Sequence, residues 1–160
     1  MKLIIVPDNK HLQTFCDIIG NCKYLCEHIT FKFSDDGVYS QGMSFDHCAI
    51  YEFNMGCHWF HDYEWESGKD ASQISVATEF LSKVLSARQP SQYLVIEYYG
   101  SPDSVTIKFT STASNGKNQE FPKEFSLSLI DVDSETLTIP EMEYSAEFGI
   151  DSKALQLTND

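Results

Sequence analysis

The sequence predicts an α+β fold in which antiparallel sheets carry two helices on one face, and three observations lead there. Most of the chain alternates apolar and polar residues with a period of two, the pattern of half-buried strands. Only two windows repeat apolar residues at helical spacing. Many strands at short spacing with only two helices between them suit antiparallel sheets better than a parallel, crossover-connected one.

Lys2 to Val6 reads as the first strand, and Pro7 and Asp8 break it. Asn9 is positioned to cap a helix whose stripe Leu12, Phe15, Cys16 and Ile19 falls at i, i+3, i+4 and i+7, with Gly20 expected to end it. The opposite face, Lys10, Gln13, Thr14 and Asp17, is polar but hardly basic. From His28 the period becomes two, with Ile29, Phe31 and Phe33 set against Thr30 and Lys32. Asp35, Asp36 and Gly37 form a hairpin turn, followed by the strands VYSQGM and HCAIYEFN. WFHDYEW, Trp59 to Trp65, alternates again, and ESGKDASQ is a polar break. A second helix is expected over Thr78 to Arg88, with Leu81, Val84 and Leu85 inward and Glu79, Ser82, Lys83 and Ser86 outward; Pro90 forbids its continuation. Three further strands, QYLVIEYY, SVTIKFTS and EFSLSLI, are separated by GSPD and ASNGKNQ.

At 160 residues, 42% hydrophobic, the chain can bury the core of one ordinary domain. No apolar run approaches the length of a membrane span, and MKLIIVPDN is too short and too soon interrupted for a signal peptide, so a soluble intracellular protein with no membrane partner is expected. A net charge of -13 argues against indiscriminate binding to nucleic acid or anionic membranes, while leaving room for one basic face. Five cysteines without regular spacing point to free thiols in a reducing compartment.

Two clusters invite a metal: Cys22, Cys26 and His28, and Cys57, His58 and His61. Neither has the paired short spacings of a structural zinc site, so no metal and no cofactor are expected. WFHDYEWE offers Asp62, Glu64 and Glu66 beside Trp59, Tyr63 and Trp65, as a carbohydrate-active enzyme would. On a strand, however, the three carboxylates share one face and the aromatics the other, which describes a half-buried strand with a solvated acidic side. No phosphate loop, nucleophile elbow or HExxH occurs, so the sequence offers no catalyst and the protein is expected not to be an enzyme.

The closing residues echo the opening ones. VPDNKHLQTFCD and IDSKALQLTND, at a constant offset, share Asp8 with Asp151, Lys10 with Lys153, Leu12 with Leu155, Gln13 with Gln156 and Asp17 with Asp160. Each follows a short strand-like run, the second being EYSAEFGI. Self-similarity at a long fixed period predicts a duplicated domain, with the chain ending at the start of a second similar domain.

LSLIDVDSETLTIPEMEYS, Leu127 to Ser145, strongly resembles the connector between the two domains of eukaryotic-type DNA sliding clamps, the proliferating cell nuclear antigen family. The likeness runs through Leu129, Ile130, Asp131, Val132, Asp133, Leu137, Thr138, Ile139, Pro140, Glu141, Glu143 and Tyr144. A second block, DDGVYSQGMSFDHCAIYEF, matches the family through Gly37, Val38, Gln41, Met43 and His47. The resemblance covers essentially the whole chain and implies a DNA-clamp fold: residues 1–130 as a first clamp domain, 131–141 as the interdomain connector, and 142–160 as the first strand and helix start of a second domain.

The function implied is that of a processivity factor acting in DNA replication and repair. Such subunits form a ring, a homotrimer in the full-length form, which encircles double-stranded DNA and tethers DNA polymerase and other partners carrying a PIP-box motif, Gln-x-x-aliphatic-x-x-aromatic-aromatic. The implied partner-binding pocket comprises Met43, His47, Leu137, Ile139 and Pro140. The implied DNA-facing cations are Lys10, Lys23, Lys83, Arg88 and Lys153, although Gln13 and Thr14 stand where the family commonly has lysines. Phe125 and Leu127 fall on the implied subunit-interface strand. These 160 residues are expected to be monomeric, or weakly dimeric through a bare sheet edge. The implied location is the nucleus or a viral replication site. A clamp-like interaction scaffold of checkpoint or viral type, with a weak DNA role, is the alternative, and a carbohydrate-active enzyme a further one.

Overall fold

Alternate residues of the strands turn inward from two sheets onto one apolar interior, and both helices contribute to it. A computed structural model describes residues 2–5, 10–65, 73–99, 103–111, 121–132, 137–138, 143 and 145–151. In chain order these form β1 (Lys2–Ile5), α1 (Lys10–Cys22), β2 (His28–Ser34), β3 (Gly37–Met43), β4 (Ile50–Gly56), a 3-10 turn (Cys57–Trp59), β5 (Asp62–Glu64), β6 (Gln73–Ala77), α2 (Thr78–Ser86), β7 (Tyr93–Glu97), β8 (Ser104–Thr110) and β9 (Lys123–Ser128). One sheet runs β5-β1-β7-β8-β9 and the other β4-β3-β2-β6, with every pairing antiparallel. The expected α+β architecture is therefore the one formed.

Leu3, Phe15, Phe31, Ile74, Leu81 and Ile107 face this common interior, so β1, α1, β2, β6, α2 and β8 share one core. Burying each such side chain stabilises the fold by about 1.5–3 kcal/mol. The helices pack side by side and antiparallel. Arg88, just past α2, donates to Gln13 Oε1 near the start of α1 (3.1 Å), whereas the Thr78 N–H at the start of α2 donates to the Glu27 carbonyl, beyond the end of α1 (2.9 Å).

Several local expectations need correction. Gly20 does not end α1: its φ is not positive, and the helix continues because Cys22 extends the buried stripe at i+3 from Ile19. Instead Lys23 to Cys26 turn the chain, with the Cys26 N–H donating to the Cys22 carbonyl (2.9 Å). The second helix closes at Ser86, two residues short of the expected end, as the Ala87 and Arg88 N–H groups bond back to Val84 and Leu85. The strand expected over Trp59–Trp65 shrinks to Asp62–Glu64, since Trp59 belongs to the 3-10 turn and stacks on His11 with ring centroids 4.6 Å apart. β6 was hidden at the end of the polar break, and its buried Ser75 bonds to Thr30 of β2 (2.7 Å). Residues 145–151 carry neither helix nor strand, and Val6 and the expected cap Asn9 lie outside the described residues.

Candidate partner hollow, helix face and sheet edge

β3 ends at Met43, and the turn that follows is built by one hydroxyl. Ser44 Oγ donates to Asp46 Oδ1 (2.5 Å) and accepts the N–H groups of Cys48 and Ala49 (3.2 and 2.9 Å), while the Ser44 N–H meets the Ala49 carbonyl (2.8 Å). The Ser44 hydroxyl and the Cys48 N–H hold the Asp46 carboxyl below its ordinary range. His47 occupies the left-handed region at φ 57, which sets its Nδ1 2.9 Å from Met43 Sδ. Two of the residues singled out in the sequence are thus side by side.

Leu137, one residue of the connector, meets the neighbouring stretch of β3. Gln41 Nε2 donates to the Leu137 carbonyl (2.9 Å), and the Leu137 N–H donates to Gln41 Oε1 (2.8 Å). This reciprocal pair mimics a strand contact and holds residue 137 beside β3. Ile139 and Pro140 lie outside the described residues. Around Gln41, Met43 and His47 a hollow opens whose other walls include Cys26, His28 and Tyr51. Burial pushes the Tyr51 phenol well above its ordinary pKa, so it remains a neutral hydroxyl. Sequence reasoning gave Gln41 no role of its own, because a polar residue in an alternating strand reads simply as solvent-facing.

On the helices, Lys10 and Lys23 are exposed at the start and just past the end of α1, about 20 Å apart at 1.5 Å per residue. Lys83 pairs with Glu79 (2.6 Å), and Arg88 is held by Gln13, whose amide also donates to Asp17 (2.8 Å). Because α1 and α2 are antiparallel, Lys10 and Arg88 belong to one end of the helix pair and Lys23 to the other, while Lys83 lies in the last turn of α2. Lys153 is outside the described residues.

β9 closes one edge of the five-stranded sheet and pairs only with β8 among the described strands. Phe125 and Leu127 are half-buried and turn toward the core, Phe125 meeting Phe109 edge-on with centroids 6.0 Å apart. The open feature of this edge is therefore its backbone. Past β9, the Ile130 N–H donates to the Ser75 carbonyl (2.8 Å), so the chain straps β9 to β6, an edge of the other sheet.

Among the described residues, which do not include Glu66, the metal and sugar candidates do not assemble. Among the described residues no group of three or more His, Cys, Asp or Glu side chains could hold a metal ion. Cys22 and Cys26 are buried while His28 is exposed, and burial pushes the Cys22 thiol up to about 11, the opposite of what a thiolate ligand needs. Trp65 stacks on Phe33 (5.7 Å), and the Tyr63 hydroxyl lies 2.8 Å from the Gly37 carbonyl, so these aromatics tie β5 to the β2–β3 hairpin and offer no open sugar platform.

Residues 10–136 match the family model described as proliferating cell nuclear antigen, N-terminal domain. Over 143 residues the chain is 27% identical to a proliferating cell nuclear antigen of Chaetomium thermophilum, covering 89% of this chain and 49% of that protein. It is 24% identical over 142 residues to a DNA polymerase sliding clamp of Methanococcus maripaludis, covering 89% and 52% respectively. It is 23% identical over 138 residues to the proliferating cell nuclear antigen of Saccharomyces cerevisiae, covering 86% and 50%. The chain spans about half the length of the curated relatives it matches.

Proposed function

Because this chain belongs to the proliferating cell nuclear antigen family, in its N-terminal-domain region, we propose that it is part of a DNA sliding clamp. It acts without chemistry of its own: its subunits close a ring around duplex DNA, and the ring tethers replication and repair proteins. Tethering raises a partner's local concentration at the template, which is sufficient for processivity. On this reading residues 1–130 form the first clamp domain, 131–141 the connector, and 142–160 the start of a second domain. The work is placed in the nucleus or at a viral replication site.

The observation that carries the partner-binding part is the reciprocal Gln41–Leu137 hydrogen-bond pair, which sets Leu137 beside β3, two positions along that strand from Met43. Ile139 and Pro140 complete the proposed wall. An adaptable methionine and an apolar connector suit an aliphatic anchor of a short peptide. Titration with a peptide bearing Gln-x-x-aliphatic-x-x-aromatic-aromatic tests it. Saturable binding that is lost in Leu137→Ala with Ile139→Ala is expected, and a peptide that ignores those substitutions would remove the reading.

DNA contact is proposed to be weak and chiefly topological. Lys83 and Arg88 are already engaged by Glu79 and Gln13, and Lys23, just past α1, lies over the Tyr24 ring, which leaves Lys10 the least engaged of the described candidates. The same observation favours the second reading, an interaction scaffold with a reduced DNA role. Once loaded on circular duplex, the assembled protein is expected to stay bound and to run off when the circle is cut. Lys23→Ala should change its retention by less than about threefold, since few counterions are released. Equal lifetimes on linear and circular DNA would exclude encirclement.

Ring closure is proposed to use the backbone edge of β9, with Phe125 and Leu127 shaping the strand from behind. Among the described residues that edge has no second neighbour. A polypeptide of these 160 residues is therefore expected to scatter light as a monomer or weak dimer. A stable closed trimer would contradict this.

A further inference from the structure

The contact between Met43 and His47 has a chemical side. A thioether sulfur has no hydrogen to give, so the 2.9 Å approach of His47 Nδ1 to Met43 Sδ is an N–H···S hydrogen bond, and Nδ1 carries the proton. The turn is built to make it. Among the described residues His47 is the one non-glycine residue at positive φ, and Ser44 and Asp46 hold the backbone beyond it through the N–H groups of Cys48 and Ala49. A non-glycine residue kept in so sparsely populated a conformation points to a task for its side chain. One lone pair of the sulfur is thereby occupied. Met43 and His47 also line a hollow of about 270 Å³, which leaves the other lone pair to a small solute that enters it.

Partner binding alone does not call for that bond, because an aliphatic anchor packs on leucine as well as on methionine. What sets methionine apart is its oxidation to the sulfoxide, which turns an apolar side chain into a polar, chiral one. Of the two methionines among the described residues, Met55 is 4% exposed in the core, whereas Met43 is half-buried and lines the hollow. A molecule the size of a peroxide therefore reaches one of these sulfurs and not the other, and it meets that sulfur with one of its two lone pairs already taken.

We propose that Met43 is a modification site for hydrogen peroxide, oxidised to a single sulfoxide epimer because His47 shields one face of the sulfur, and that the sulfoxide turns away the partner's aliphatic anchor. The free lone pair of Sδ attacks one peroxide oxygen. The S–O bond forms as the O–O bond breaks, sulfur gives up two electrons, and the proton of the transferred hydroxyl joins the departing hydroxide to make water. The loss of partner affinity rests on the partner-binding reading of the hollow, whereas the site and its epimer do not. A sulfoxide oxygen standing where the anchor packs loses its water without gaining a hydrogen bond, and affinity falls accordingly.

Hydrogen peroxide treatment of the whole chain, followed by proteolysis and mass spectrometry, tests the site. Met43 is expected to gain one oxygen well before Met55. When the Met43 peptide is divided between two methionine sulfoxide reductases, each specific for one epimer, one should restore it almost completely and the other hardly at all. His47→Asn, which tolerates the left-handed backbone but brings no imidazole to the sulfur, should give both epimers. Binding is read by fluorescence polarisation with the motif peptide, after dithiothreitol has returned oxidised thiols to the reduced state. The oxidised protein is expected to bind about tenfold more weakly than the untreated one. Met43→Leu, compared with its own untreated sample, should not respond to peroxide. The proposal is overturned if Met55 oxidises as fast as Met43, if the native protein yields both epimers equally, if His47→Asn keeps the bias, or if peroxide weakens binding as much in Met43→Leu. Failure of the untreated protein to bind the motif refutes the pocket reading and the effect on the partner with it; binding that survives complete oxidation of Met43 refutes that effect and leaves the pocket reading standing.

Discussion

Gln41→Leu is expected to weaken binding of the motif peptide about a hundredfold while leaving the melting temperature within a few degrees of the native value. The side chain makes both hydrogen bonds that hold Leu137 (2.9 and 2.8 Å). Each is worth about 1 kcal/mol net. Once they are gone, the peptide must itself order the connector, at roughly 1 kcal/mol for each residue fixed. The sum, near 3 kcal/mol, corresponds to about two decades in affinity. Leucine keeps the volume of the half-buried site, and global stability has little reason to change, because Leu137 belongs to no described strand of either sheet. Gln41→Glu supplies a graded control: its carboxylate can still accept the Leu137 N–H but cannot donate to the carbonyl, so an intermediate loss of about tenfold is expected. Calorimetric titration would give all three affinities. Equal affinities would show that the connector is not a wall of the pocket.

The fold was legible wherever one residue's chemistry determined a local geometry. Asp35-Asp36-Gly37 marked the β2–β3 hairpin, and the structure places the turn there with Gly37 at φ 142. The stripe Leu12, Phe15, Ile19 identified the buried face of α1. Gly20 misled because glycine signals a helix end only when the backbone turns left-handed, and that choice depends on whether the next stripe residue, here Cys22, can still be buried. β6 escaped notice for the opposite reason: its Ser75 is buried against Thr30, so polar letters that suggest solvent are satisfied inside the sheet. Trp59 and Trp65 read as one face of a half-buried strand, and no local pattern could reveal that their stacking partners are His11 and Phe33, far away in sequence.

The candidate site divides in the same way. Met43 and His47 came from a family resemblance, and the turn between them follows from the capping habit of serine and aspartate. The pairing of Gln41 with Leu137 spans 96 positions, and one amide among many polar residues carries no signal of it. The helix-face cations were visible individually, yet their engagement by Glu79 and Gln13 arises only when side chains one turn apart, or on neighbouring helices, come together. That engagement further lowers the cationic character of a face already hardly basic in sequence.

Glycine to alanine is expected to have opposite effects at two positions, and the contrast isolates what each backbone requires. At Gly37 a Cβ atom would lie 2.1 Å from the Met55 carbonyl oxygen, 2.8 Å from Gly56 Cα and 2.9 Å from Cys57 N, all main-chain atoms that cannot rotate away. The φ of 142 adds strain of about 1–3 kcal/mol, and displacing the paired strand adds a similar amount, so Gly37→Ala should lose about 3–5 kcal/mol. For a chain of this size each kcal/mol moves the midpoint by about 2–4 °C, which predicts a fall on the order of 10 °C. At Gly20, inside α1, a Cβ meets nothing within 4 Å. There alanine lowers the entropy of the unfolded chain and should stabilise by about 0.5–1 kcal/mol. Urea unfolding of both variants decides the matter. Gly37 faces Gly56 across β3 and β4, the hairpin that also carries Gln41 and Met43, so Gly37→Ala should weaken peptide binding even below its melting point, whereas Gly20→Ala should not. Equal stability of the two variants would mean that the β3–β4 pairing can open without loss, and the hairpin could then not be the rigid support on which the hollow depends.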